Sequence, residues 1–283
     1  MTVHGRVTTR PVSRTGAIPV SMIERMTLIL DTFDGPAPVR TLLDVAERTG
    51  LPRSSAHRII DQMIRLRWLA HAPGGYRLGT RALELGGLAI EHNEIRDALG
   101  PLLHELCGRT GMIAHLAVLD GPRVLLIDKA VGRGGDSLPT RLGGRMPAHC
   151  TAVGKALLAA LPPSVVELAL PDRLPRFTDR TIDRRADLHR ELDRVRCHRG
   201  VAVDREESLD GVVCVAAPLR DGRRGAVAAL SLSGRTGATR PPGSSRAAEL
   251  LVEAAEEAAR AGISRRGSSA VSPGSGRRFP GPR

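Results

Sequence analysis

Ser54, Ser55, His57, Arg58 and Gln62 fall within nine residues of one basic stretch, and their shared chemistry is hydrogen bonding rather than bond breaking. An arginine fork pairs bidentately with guanine, while glutamine and hydroxyl side chains reach the other base edges of a major groove. Arg53, Arg65 and Arg77 add charge of the kind that grips phosphate and fixes register without reading sequence. Residues 53–67 hold Arg53, Arg58, Arg65 and Arg67 against Asp61 alone, a local net charge of +3. Ser55, Arg58, Gln62 and Arg65 recur at three- and four-residue steps, which gathers them on one flank if the segment is helical. The same pattern also suits an ordinary antiparallel helix pair with solvated arginines.

Elsewhere the residues capable of catalysis are sparse. Gly154-Lys155 is no phosphate loop, since His149 stands where a glycine is needed and Ala156 follows the lysine. The glycines at 132, 134 and 135 lack dinucleotide-binding spacing, and neither HExxH nor GxSxG occurs. Cys107, Cys150, Cys197 and Cys214 form no CxxC, which argues against a zinc ribbon or disulfide framework and fits a reducing cytoplasm. His149-Cys150 and Cys197-His198 are sequence neighbours whose side chains diverge on a helix, so neither is a ready ligand set or nucleophile pair. No metal, cofactor or catalytic residue is therefore expected; an enzyme using Cys150 or Cys214 as nucleophile is kept as a rival. Ser231 and Ser233, two apart in AVAALSLS, put both hydroxyls on one face of an aliphatic strand. If that face is covered they need partners; if it faces water they need none.

The elements that would position these groups can be read from periodicity. Leu42, Leu43, Val45 and Ala46 repeat at helical spacing up to Gly50, a helix stop. Pro52 and a capping Ser54 restart the chain, and Ala56, Ile60, Met63 and Leu66 form an inward stripe, with Ile59 and Ile64 beside it. Residues 22–33 supply a backing helix. Trp68–His71, a Pro73-Gly74-Gly75 turn and Tyr76–Leu78 read as a hairpin wing with Arg77 near its tip. The expectation for 21–80 is a winged helix-turn-helix that binds double-stranded DNA; its rival is a winged helix used for protein contacts. A helical connector, 81–98, leads out of the wing, and the helical pattern of 80–109 breaks near Gly100-Pro101.

The period then changes. Residues 112–120 and 123–131 flank Gly121-Pro122 as a hairpin, 212–219 and 226–233 pair across Asp221-Gly222, and helices are expected at 149–160, 185–197 and 244–261. Mixed strands and helices over 99–262 imply an α+β domain with an antiparallel sheet. At 283 residues two domains are expected. The net charge of +12 rests on arginine, as Lys129 and Lys155 are the only lysines, and favours a polyanionic partner. No run approaches the ~18 apolar residues of a membrane span. Residues 1–20 and 263–283, basic and rich in small polar residues, read as disordered tails.

GLPRSSAHRIIDQM and GGYRLGTRALELG resemble the DNA-binding domain of IclR-type transcriptional regulators, and RMPAHCTAVGKALLAALP, RGVAVDREESLDGVVCVAAPLRD and GAVAALSLSG resemble their effector domain. Two departures stand out: Arg67 occupies a place where the family often ends the helix with glycine, and RTGATRPP lacks the usual proline after Gly234. The resemblance implies a GAF-like sensor domain, a cytoplasmic repressor or activator, and dimers that pair into tetramers. It also implies an effector pocket falling on Ala152, Val153, Asp204, Cys214, Ser231 and Ser233. A helix start beside two hydroxyls suits a small carboxylate. Asp204 would repel one and is assigned to a hydroxyl or water, while Arg145 either adds charge or is merely solvated.

Overall fold

The computed structural model describes residues 21–35, 37–132, 138–221, 225–237 and 245–260. The expected tails and the end of the 235–242 connection lie outside them. The chain divides into two compact units, the second beginning at Asn93.

In the first unit, Ser21 and Glu24 form a reciprocal capping box that starts α1 (Met22–Asp31), and Thr41 and Asp44 do the same for α2 (Leu42–Thr49). Gly50 ends α2 in the left-handed conformation at φ 70°, as its place in the sequence predicts. The next helix, α3 (Arg53–Arg65), starts differently from expectation. Pro52 is its N-cap, no side chain caps it, and Ser54 lies inside the first turn. Ala56, Ile59, Ile60 and Met63 are buried against Ile29, Val45, Leu51 and Leu69. Leu66, expected inward, is 63% exposed, because the helix stops at Arg65 and the chain turns away. Arg67 takes φ 62°. Its N–H bonds to the Ile64 carbonyl, and that of Trp68 to Met63, closing a Schellman stop.

β1 (Leu69–Ala72) and β2 (Gly75–Leu78) pair antiparallel around Pro73-Gly74. Arg40 bridges the far side of Tyr76 with two backbone bonds, at 2.9 and 2.8 Å, so β2 is flanked on both sides. The buried Arg40 side chain donates from Nε to the Thr32 carbonyl, tying this strand to the end of α1. α4 (Thr80–Glu91) follows, with no buried residue.

The connector breaks at His92-Asn93 rather than at Gly100-Pro101. Asn93 caps α5 (Glu94–Thr110), which carries Pro101 within it. The second unit is a six-stranded antiparallel sheet in the order β5-β4-β3-β8-β7-β6. Its strands are β3 (Ile113–Asp120), β4 (Arg123–Val131), β5 (Arg145–Pro147), β6 (Ala202–Arg205), β7 (Val212–Asp221) and β8 (Gly225–Arg235). One face packs on α5 and α9 (Ser245–Arg260), through Leu103, Leu106, Leu116, Leu230, Leu232 and Leu251. The other packs on α6 (Ala152–Ala159), α7 (Pro163–Ala169) and α8 (Arg185–Cys197). Every residue of α6 is buried, Lys155 included. The helix starts three residues later than its pattern suggests because Thr151 caps it, accepting from Gly154 N–H at 3.3 Å. Gly154 is required there: a Cβ would overlap the Ala148 backbone.

Candidate functional site

Arg53, Ser54, His57, Arg58, Gln62 and Arg65 all lie on exposed positions of α3, and Ser55 is half-buried beside them. The same turns that bury Ala56, Ile59, Ile60 and Met63 thus turn a polar stripe outward. Among the described residues Arg53, Arg58 and Arg65 have no ion-pair partner, so their guanidiniums are available. His57 is engaged, its Nδ1 lying 3.3 Å from the Asp61 carboxylate one turn on. Arg67 is also engaged, with Glu84 at 2.9 Å, which removes one of the four arginines from the local count. Arg77 is exposed but stands opposite Ala70, two rungs back from the turn. The tip is Pro73-Gly74, without charge.

In the second unit the register brings distant residues into one array. Asp204 stands opposite Cys214, Cys214 opposite Ser233, and Ser233 opposite Ile113. In the neighbouring row Ala202, Ala216, Ser231, His115 and Lys129 stand side by side. Cross-strand partners share a face, as do residues two apart, so Asp204, Cys214, Ser231 and Ser233 all point to the face covered by α6. Ser231 and Ser233 are buried; the exposed-face alternative does not apply. A cluster of Ile113, Leu138, Leu209 and Val212 bounds the polar rows at one end, and the α6-facing apolar cluster bounds them at the other.

The rows are linked by hydrogen bonds. The Ser233 hydroxyl donates to Cys214 Sγ at 3.0 Å and lies 3.4 Å from His115 Nδ1. His115 Nε2 meets the Thr140 hydroxyl at 2.9 Å, and Lys129 Nζ donates to the Thr140 carbonyl at 2.7 Å. Burial, reinforced by the Lys129 charge, pulls His115 down to about 4. Its imidazole is therefore neutral near pH 7 and can accept from one hydroxyl and donate to the other. Alternation within residues 113–120 places His115 between Ile113 and Ala117, but nothing in that segment reveals that it will lie beside Ser231. Sequence reasoning misses His115, Lys129 and Thr140 for that reason.

Asp204 is occupied by its own loop. One oxygen accepts from Glu207 N–H at 2.7 Å, the other from the Ser208 hydroxyl at 2.6 Å. Burial raises its carboxyl to about 6, against the pull of those donors. Lys155 reaches the same loop, donating to Glu207 and to the Val203 carbonyl, each at 2.6 Å. At the start of α6, the N–H groups of Ala152 and Val153 donate to no described residue, while those of Gly154 and Lys155 are satisfied by Thr151. Arg145 does not add charge to this face. Its cross-strand partner Leu125 packs on the α5–α9 side, and the guanidinium pairs with Asp120.

Neither Cys214 nor Cys150 is activated as a nucleophile. Burial pushes Cys214 up to about 12, and Cys150, wholly buried near Asp204 and Glu207, rises further. A thiol this weakly acidic supplies almost no thiolate at neutral pH. His149 donates to the Pro175 carbonyl at 2.9 Å rather than facing Cys150. Among the described residues no cluster of His, Cys, Asp and Glu could hold a metal ion, and no helix is long and apolar enough to cross a membrane.

The IclR helix-turn-helix domain model matches residues 22–73, and the model of the bacterial transcriptional regulator IclR C-terminal domain matches residues 87–260. The HTH-type transcriptional regulator XynR of Escherichia coli K12 is 34% identical over 217 residues, 76% of this chain and 86% of that protein. The glycerol operon regulatory protein of Streptomyces coelicolor is 31% identical over 250 residues, 86% and 94% of the two chains. Among solved structures, an IclR homolog from Microbacterium hydrocarbonoxydans complexed with 4-hydroxybenzoate superposes with a TM-score of 0.70 at 29% identity, covering 85% of this chain and 100% of that one. An IclR transcriptional regulator from Alicyclobacillus acidocaldarius gives 0.74 at 25% identity, over 86% and 98%.

Proposed function

Because this chain belongs to the IclR family of bacterial transcriptional regulators, we propose that α3 reads its operator and that the polar rows under α6 receive its effector. The protein is a DNA-binding regulator with a C-terminal effector-binding domain. The observation that carries the DNA half of the reading is the outward stripe of α3, with three arginines that have no ion-pair partner among the described residues. In this assignment Ser54, Ser55, His57, Arg58 and Gln62 face base edges, and Arg53, Arg65 and Arg77 face phosphates. Each bidentate arginine–guanine pair contributes about 1–3 kcal/mol of discrimination. Replacing Arg58 by Ala should lower affinity for the native promoter fragment about tenfold or more while leaving binding to scrambled DNA nearly unchanged. Equal losses on both DNAs, measured by anisotropy, would reassign Arg58 to phosphate.

On the effector side the ligand is a small organic acid with at least one further polar group, as 4-hydroxybenzoate is in the related complex. The free N–H groups of Ala152 and Val153, the Cys214 thiol and the Ser231 and Ser233 hydroxyls are the proposed contacts. Asp204 acts by holding the 204–208 loop, since both its oxygens are already engaged.

The working form is at least a dimer, because one helix-turn-helix covers one half-site and two copies read a pseudo-palindrome. Ile23 of α1 and Leu83 and Leu88 of α4 are strongly exposed, at 79%, 78% and 49%, and provide apolar area for a second copy. The cytoplasm is the proposed compartment. Ligand alters operator affinity by favouring one arrangement of the paired heads, transmitted through α4. An acid with equal affinity for both arrangements would change nothing.

A further inference from the structure

The polar rows end, on the β4 side, in a cation. Lys129 stands opposite His115, and His115 opposite Ser231, so the three side chains leave the same face. Two strand spacings separate Lys129 from Ser231, about 10 Å at the backbone. A flexible lysine and a small ligand span that gap together. Lys129 Nζ donates to two neutral groups, the carbonyls of Thr140 at 2.7 Å and Leu138 at 3.4 Å. No carboxylate of the described residues pairs with it.

Among the described residues the other charges nearby are matched or point away. Lys155 is held by Glu207 and Glu191. Asp204 is satisfied by Ser208 and by backbone N–H groups. Arg145 lies on the opposite face with Asp120. His115, drawn down to about 4, carries no charge near pH 7. Burial also lowers the Lys129 pKa, the response of an ammonium that has lost water.

We infer that Lys129 is the residue that makes this pocket select anions: its ammonium takes the ligand carboxylate, while the Ser231 and Ser233 hydroxyls take a neutral polar group several ångströms away on the same ligand. The inference rests on the α6-covered face being the effector site. It deepens that reading by naming the charge-selecting residue, and it narrows the ligand to hydroxy or phenolic monocarboxylic acids. An acid without the second polar group would leave the hydroxyl pair unused. A neutral amide of the same shape would leave the ammonium unmatched.

Calorimetric titration of the full chain with 4-hydroxybenzoate and 4-hydroxybenzamide, and with lactate and lactamide, tests this. In the wild type the acid of a pair should bind about tenfold or more tightly than its amide. Lys129→Met should abolish the preference by weakening the acid alone, with the amide unchanged within about threefold as evidence that the site is intact. Lys129→Arg should restore it. A Lys129→Met protein that keeps the wild-type acid-to-amide ratio overturns the inference while leaving the pocket in place, and assigns charge selection to the α6 N–H groups. If no probe binds the wild type, or if Ser231→Ala leaves every affinity unchanged, the pocket reading fails and the inference with it.

Discussion

Arg67 illustrates how one residue can be legible in type and opaque in consequence. The family resemblance places a glycine there, and the structure holds Arg67 at φ 62°, where an L-residue is strained by roughly 1–2 kcal/mol. Its pairing with Glu84 at the surface offsets part of this, but water screens that contact. Arg67→Gly is therefore expected to raise the urea midpoint of the first unit, by an amount equivalent to about 1 kcal/mol; a lowered midpoint would mean that the ion pair outweighs the strain. Asp204 and His115 make a second argument at this scale. Asp204 holds its proton up to about 6 in the folded state, against 3.8 for an ordinary aspartate, so it lowers stability as pH rises from about 4 to 6. His115 refuses its proton down to about 4, against 6.5 for an ordinary histidine, so it raises stability as pH climbs from about 4 to 6.5. Each effect is on the order of a few kcal/mol, and they oppose. Relative to wild type, Asp204→Asn should steepen the rise of stability with pH over this window, and His115→Gln should reverse its sign. Parallel profiles for all three proteins would contradict both assignments. Glu207 and Lys155 face Asp204, and Lys129 faces His115, so the comparison must be made within one ionic strength.

Elements are legible where a local signal decides them. The glycine stop at Gly50 and the apolar stripe through Ala56, Ile60 and Met63 are visible in the chain, and α2 and α3 follow. The departures have local causes of a different kind. Pro101 suggests a break, yet Asn93 offers a side-chain cap and Glu94 and Asp97 favour a helix start, and the helix runs through the proline. Short pieces such as β5 and α7 carry too few residues for a period. Cross-strand register is invisible to any one strand: His115 and Ser231 are 116 positions apart, and only the β3–β8 ladder makes them neighbours. That is why the serine pair can be foreseen and its histidine and lysine companions cannot. The wing supplies a test at this scale. Gly75 has φ 151°, and a Cβ there would overlap the Arg40 carbonyl. Gly75→Ala should break the Arg40–Tyr76 bridge, displace β2 and weaken DNA binding with a shallower salt dependence, as expected if the proposed Arg77 phosphate contact is lost. Unchanged affinity and slope would remove the wing from the interface.

At the scale of the whole molecule, two units with separate cores divide the labour along the chain. The first presents free arginines on one helix; the second buries a hydrogen-bonded polar array between two apolar clusters. Neither feature alone makes a regulator, since a pocket that does not influence DNA binding is only a binding protein. Linkage requires that an effector able to shift operator affinity bind more tightly to one state than to the other, typically by about 1–3 kcal/mol, a factor of about 5–150. The decisive measurement is the anisotropy of a fluorescent promoter fragment titrated with the full chain at about 0.15 M salt, with and without an acid whose saturation has been verified by calorimetry. The account predicts a shift in specific-DNA affinity of at least about fivefold in the wild type and none in a Ser231→Ala, Ser233→Ala protein that no longer binds the acid. Identical curves with the pocket demonstrably full would contradict it.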